Sequence, residues 1–288
     1  MKSCPGTESK DAGKAEACKG CPNANICSSS KPDSDIQFLK NKYNTFKHKI
    51  AVMCGKGGVG KSFLSFLIAK FLSERSKVLL LDMDITGPTI PQLTNTQNRV
   101  IENIFVEFSP IVQGSLGIVS SGYFWPLIED NIEELNKNVI LKAILKNCRI
   151  EDYDILVVDT PPNITDEHLA IFNYMEQVQS ILITTPQTLS FIDFFRQMNF
   201  CKKAKISILG VVENMKGLKC NKCNFVNNLS KSKSIQTFCD DNNLCFLGSL
   251  DLLRKELPKI DNGTFVFTEE LVDLKEKIFN SLKKDPNV

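Results

Sequence analysis

The sequence has almost no charge of one sign to spare: 35 Lys and Arg stand against 33 Asp and Glu, a formal net charge of +2. That balance leaves no polyanion footprint, so composition gives no argument for nucleic acid as a partner. No run approaches the ~18 consecutive apolar residues of a membrane span. The start, Met1-Lys2-Ser3-Cys4-Pro5, has neither the basic-then-apolar order of a secretion signal nor the Arg-rich character of a transit peptide. The expectation is a cytosolic chain with no membrane partner. Internal repeats are absent too. Cysteine, by contrast, is plentiful, with eleven in 288 residues. Without a secretion route these do not read as an extracellular disulfide framework. In a reducing compartment, clustered cysteines more often serve metal or redox chemistry.

The 42% hydrophobic content is enough to bury a full core. Residues 1–35 are poor in large apolar side chains and rich in Ser, Lys, Gly and Asp. They read as an arm that cannot build a core of its own unless something cross-links it. From Ile36 the pattern changes to alternating strands and helices, giving a division into an arm, 1–35, and a folded domain, 36–288. Strands are predicted at 50–53, 77–82, 116–120, 155–159, 180–184, 207–212 and 245–248. Helices are predicted at about 61–74, 131–146, 165–177, 188–203, 231–242 and 268–284. Runs such as Val78-Leu79-Leu80-Leu81 and Ile155-Leu156-Val157-Val158 suit strands buried on both faces of a parallel sheet. Alternating βα units predict a doubly wound α/β fold, whose ligands sit beyond the carboxyl ends of the strands.

After the first predicted strand comes Gly55-Lys56-Gly57-Gly58-Val59-Gly60-Lys61-Ser62, a full match to G-x-x-x-x-G-K-[ST]. Strand, glycine loop and helix are the context of a phosphate site: backbone N–H groups face phosphate oxygens and the helix N-terminus favours the anion. Lys61 is expected at the β/γ-phosphates and Ser62 on Mg²⁺. Lys56 is a second loop lysine, too early to serve the same γ-phosphate. It could reach a nucleotide held by a facing subunit, as an arginine finger does in trans. Two apolar strands end in acids, Asp82-Met83-Asp84 and Asp159-Thr160-Pro161-Pro162. Carboxylates there can accept from Mg²⁺-bound water and orient an attacking water.

Cys4, Cys18, Cys21 and Cys27 are spaced C-x₁₃-C-x₂-C-x₅-C, and four thiolates suit either zinc or an iron–sulfur cluster. Cys220 and Cys223 form one C-x₂-C pair, half a ligand set. A second copy on a two-fold axis could complete it, or Cys239 and Cys245 could do so within the chain. Against the second route, Cys245 opens an apolar run and reads as a core residue. Cys54, Cys148 and Cys201 read as small buried hydrophobes.

The K-G-G-V-G-K-S wording resembles the deviant Walker A ATPases, which include MinD and the nitrogenase iron protein and work as nucleotide-sandwich dimers. With D-x-D-x-x-G-P, D-T-P-P and both cysteine motifs, nearly the whole chain resembles the Mrp/NUBP ATPases, in particular the larger type with N-terminal cysteines. The resemblance implies that Asp84 is the catalytic carboxylate, acting with Lys56 and Lys61. Asp82 and Asp159 would support Mg²⁺, and Asn214 of Glu213-Asn214-Met215 would recognise adenine, so the nucleotide would be ATP. It further implies one 4Fe–4S cluster on the arm and a labile one bridging two subunits through Cys220 and Cys223. Slow ATP hydrolysis would be coupled to loading or transfer of clusters to cytosolic and nuclear apoproteins. The partner would be a second copy or the shorter paralogue. Asn221 and Asn163 depart from the family's usual Pro and Gly.

Three rival readings use the same motifs, one of them ATP-requiring electron transfer to a reductase partner through the same clusters. A MinD-like positioning ATPase would use the stripe of Ile278, Phe279 and Leu282 at a membrane, although such a stripe more often packs on the sheet. A zinc-stapled nucleotide switch would make the cysteines structural.

Overall fold

The structure is a computed structural model and describes residues 15–16, 35–124, 136–220, 222–223, 225–229, 234–252, 256–261, 263, 265 and 271–283. Cys4, Cys18, Cys21 and Cys27, with most of the predicted arm, lie outside the described residues, as does Asn221.

The strands are β1 (His48–Cys54), β2 (Val78–Asp82), β3 (Ile111–Gln113), β4 (Leu116–Ser120), β5 (Ile155–Asp159), β6 (Gln179–Thr184), β7 (Ser207–Glu213), β8 (Gly217–Lys219), β9 (Val226–Asn228) and β10 (Phe246–Ser249). Eight of them form one sheet in the order β10-β7-β6-β1-β5-β2-β4-β3, parallel throughout except for the antiparallel edge strand β3. β8 and β9 pair separately as a hairpin. The continuous apolar runs do lie in doubly covered strands: every residue of β2 and of β5 is buried. Edge strand β3 escaped the sequence reading because three residues are too few to show a period.

The helices are α1 (Asp35–Tyr43), α2 (Lys61–Leu72), α3 (Ile90–Leu93), α4 (Lys137–Asn147), α5 (Asp166–Tyr174), α6 (Thr188–Ala204), α7 (Ile235–Asp241), α8 (Leu257–Asp261) and α9 (Val272–Lys283). α2 follows the phosphate loop and packs along β1, β2 and β5, burying Leu64, Phe66, Leu67, Ile68, Phe71 and Leu72. α9 lies against β10 and α2, with Leu274, Ile278, Phe279 and Leu282 buried. The stripe that a membrane-positioning ATPase would have used therefore packs inside the domain. Among the described residues no helix is long and apolar enough to cross a membrane.

One cysteine expectation is overturned. Cys245 is exposed, whereas Cys239 on α7 is fully buried. β10 begins one residue after Cys245, and its buried positions are Leu247 and Gly248, so Cys245 stands before the core rather than in it. Cys54, Cys148 and Cys201 are buried as expected.

Candidate functional site

Parallel register puts the site together. β1 and β2 flank β5, and Val52 and Asp82 both stand level with Asp159, so three strand ends meet at one edge. The chain leaves β1 at Cys54 and enters the loop 55–60. Gly60, the N-cap of α2, sits at φ +81°, and a Cβ there would meet Asn214 Nδ2 at 2.4 Å. Only glycine satisfies both the left-handed backbone and that contact. Gly58 shares the positive φ, and a Cβ on Gly57 or Gly58 would meet nothing within 4 Å, so the loop backbone faces open space.

Lys61 and Ser62 open α2. Lys61 Nζ lies 2.5 Å from Asp159 Oδ1 and 3.2 Å from Ser62 Oγ. Ser65, one turn further along α2, donates to the same Asp159 oxygen at 2.6 Å. The other oxygen, Asp159 Oδ2, is buried without a hydrogen-bond partner among the described residues. A buried carboxylate oxygen normally has a partner. An orphan acceptor beside a phosphate loop fits a water of a Mg²⁺ shell, so the donor set suits Mg²⁺ with a nucleotide phosphate. Lys61, Ser62 and the loop N–H groups would hold the phosphates there.

The other two acids differ from each other. Asp82 is buried and tied on both oxygens: Oδ2 accepts from Ser120 Oγ (2.9 Å) and Ile90 N (3.2 Å), and Oδ1 from Asp84 N (3.3 Å). Burial, followed by the neighbouring Asp159 carboxylate, pushes it up to about 7. Asp84 is half-buried at the mouth of the site, where its Oδ1 accepts from Thr86 Oγ1 (3.0 Å) and Gly87 N (3.2 Å). Asp82 thus braces the turn that presents Asp84. Lys56 is half-buried in the loop.

Asn214 follows β7 and is nearly buried, and its Nδ2 donates to the Val59 carbonyl at 2.8 Å. Beside it opens a largely apolar cleft lined by Gly60, Phe63, Asn214, Met215, Asp251, Leu252 and Ile260. A mainly apolar slot next to a phosphate loop, with the Asn214 amide and the Asp251 carboxylate in its wall, suits a base ring with polar edges. Asn163 sits at φ +64° after D-T-P-P. Asparagine tolerates that left-handed conformation better than other residues with a side chain, which accounts for its standing where the family usually has glycine.

Cys220 and Cys223 lie between β8 and β9. Cys220 N donates to the Phe225 carbonyl at 2.8 Å, closing the turn. The Lys222 and Cys223 N–H groups and the Cys223 thiol bond to the Cys220 sulfur and hold it below the usual thiol value. That favours the thiolate, the form that binds metal. Burial does the reverse elsewhere, pushing Cys54 to about 11 and Cys148 and Cys239 to about 12. Among the described residues no group of three or more His, Cys, Asp or Glu is placed to hold a metal. Cys239 and Cys245 therefore do not complete a site with the pair.

Sequence reasoning missed His168, Ser65 and Ser120. His168 is fully buried at the third position of α5, and its Nδ1 accepts from Thr165 N at 3.3 Å. The T-x-x-H spacing, a capping-box variant, was its one legible signal. Burial, then the Lys61 charge, lowers its pKa to about 4.

Fold and site together define a P-loop NTPase with a second lysine in its phosphate loop. Residues 45–285 match the family described as ParA, NUBPL iron-transfer P-loop NTPase. The chain is 36% identical over 261 residues to the cytosolic Fe-S cluster assembly factor NBP35 of Kluyveromyces lactis, covering 86% of this chain and 80% of that protein. It belongs to this iron-transfer P-loop NTPase family. In fold it is similar to a nucleotide-binding protein from Archaeoglobus fulgidus solved with ADP (TM-score 0.67, 23% identity, covering 80% of this chain and 91% of that one). It is also similar to the septum site-determining protein MinD of Pyrococcus horikoshii solved with Mg-ADP (TM-score 0.60, 16% identity, covering 81% and 95%).

Proposed function

We propose that the protein is an ATP-dependent scaffold that assembles 4Fe–4S clusters and passes them to apoproteins in the cytosol and nucleus. One observation carries the reading: a single stretch of chain bears both ends of such a device. Asn214, in the wall of the cleft beside the phosphate loop, is separated from β8 by only Met215 and Lys216, and the β8–β9 turn carries the two thiols. A family of iron-transfer NTPases and an Fe-S assembly relative support it.

Bound Mg²⁺ would neutralise phosphate charge beside Asp159. Phosphate would compete with Asp159 for Lys61, while Asp84 would orient the attacking water as a general base. Lys56 would reach across to a nucleotide on a facing subunit. Two thiolates are half a cluster's ligand set, so Cys220 and Cys223 would share a labile cluster, the cargo, with a second copy or with the shorter paralogue. Residues 1–35 would form the arm holding the second cluster through Cys4, Cys18, Cys21 and Cys27.

The test is to measure iron, acid-labile sulfide and zinc per chain after anaerobic reconstitution. One arm cluster plus half a bridging one predicts about six iron and about six sulfide. Zinc without sulfide would replace this reading with a zinc-stapled nucleotide switch.

A further inference from the structure

Gln197, in the middle of α6, is 1% exposed. Its Nε2 donates to the Cys54 carbonyl at 2.8 Å and to the Asn163 carbonyl at 3.4 Å. Both acceptors are carbonyls, which fixes the orientation of the amide: the nitrogen must face them. The remaining oxygen, Oε1, is buried and without a hydrogen-bond partner among the described residues. Gln197 lines a cleft together with Gly55, Asn163, Ile164, Asp193 and Arg196.

The two carbonyls stand at the two segments that border the phosphate site. Cys54 is the last residue of β1 and feeds the phosphate loop. Asn163 follows the Asp159-Thr160-Pro161-Pro162 segment, and its own N–H donates to the Cys54 carbonyl at 3.2 Å. α6 presses on the loop so closely that a Cβ on Gly55 would meet the Asp193 carbonyl oxygen at 2.3 Å. α6 also carries exposed apolar side chains, among them Leu189 (66%) in the same i, i+4 stripe as Asp193 and Gln197.

We propose that Gln197 is a positioning residue that couples the nucleotide site to α6. A shift of the 160–163 segment relative to Cys54 must change the longer of the two bonds, since one amide cannot follow both carbonyls. The orphan Oε1 makes a change of pairing favourable, because a buried acceptor gains by finding a donor. The inference rests on the ATP-dependent scaffold reading proposed above, in which nucleotide switches the protein's state.

The experiment is hydrogen exchange across 188–196 in the full chain, with and without Mg²⁺ and a non-hydrolysable ATP analogue. Nucleotide affinity is measured separately with a fluorescent analogue. In the wild type, nucleotide should alter α6 exchange. Gln197→Met, similar in volume but unable to donate, should bind nucleotide within about threefold of wild type yet lose more than about half of the α6 response. A full α6 response in Gln197→Met, or nucleotide bound by the wild type without any α6 response, overturns the coupling. A wild type that fails to bind nucleotide overturns the switch reading itself and the coupling with it. Gln197→Glu supplies an independent arm. Its carboxyl group can donate only when protonated, so its α6 response should recover from roughly pH 8 to pH 6. A response in that variant that ignores pH also overturns the coupling.

Discussion

Lys61 and Asp159 form a buried ion pair, Nζ to Oδ1 at 2.5 Å, with the two side chains 6% and 0% exposed. In water such a pair contributes little; here neither charge has water to fall back on. Lys61→Ala would leave Asp159 ionised with Ser65 as the one donor to that oxygen. Breaking a buried pair from one side costs about 3–5 kcal/mol. Lys61→Ala should therefore lower the melting temperature even without nucleotide. It should also abolish the further stabilisation by Mg-ATP, about 2.7 kcal/mol at a hundred times Kd. Thermal melts with and without Mg-ATP separate the two effects.

Asp84→Asn should behave differently. Asp84 is half-buried, and its Oδ1 serves two local bonds that an amide oxygen can also accept. The fold should lose no more than about 1 kcal/mol and nucleotide affinity should persist, while hydrolysis falls about 10²–10⁴-fold. Single-turnover hydrolysis beside a binding titration checks this, and wild-type turnover would remove Asp84 from the role of general base.

Cys220→Ala should lower iron and sulfide together from about six to about four per chain, leaving the arm's share in place. Cys54→Ala is the matched control: burial pushes that thiol to about 11, so it offers no thiolate and its loss should leave metal content unchanged. Unchanged iron in Cys220→Ala would rule out a shared centre at the hairpin.

His168 predicts an acid sensitivity. Its folded pKa is about 4 against an ordinary 6.5, so between those values the unfolded chain holds a proton that the folded chain does not. Stability is then fully present above about pH 6.5 and falls as pH drops toward 4, by about 3 kcal/mol at the limit. His168→Gln should flatten that part of the profile, measured as denaturant midpoints between about pH 7.5 and about pH 4.5. A wild-type profile with the same slope as the variant would count against a neutral buried imidazole.

Much of this was legible in the chain because the strands are short, wholly apolar and punctuated by acids. Val78–Asp82 and Ile155–Asp159 announce both burial and a ligand-facing end. Elements whose identity depends on tertiary partners were not legible. α1, β3, β8 and β9 are short, and α1 is held to α4 by Asp35 pairing with Lys142 and Lys146. Cys245 shows the limit of reading apolar runs, since a core position depends on where the strand begins. Ser65, Ser120 and Gln197 bond to groups 94, 38 and 143 residues away, respectively, and no spacing rule reaches so far.

The joint between Asn214 and the thiols has one more consequence. Asn214 N is anchored to Thr184 and Lys216 N to Leu250, so both ends of Met215 are pinned before the hairpin leaves the sheet. Across β8 (Gly217–Lys219) residues alternate sides of a two-stranded ribbon, and a single added residue reverses that alternation. One alanine inserted after Lys216 would keep every side chain named above, yet reverse the facing of β8 and displace the turn that carries Cys220 and Cys223. Such a protein should still bind ATP and still take up arm iron, while nucleotide ceases to influence the hairpin's cargo, as stopped-flow chelation of the labile iron would reveal. On the proposed scaffold reading, communication between base and metal would be a question of phase, set by the length of a joint rather than by the identity of any one group.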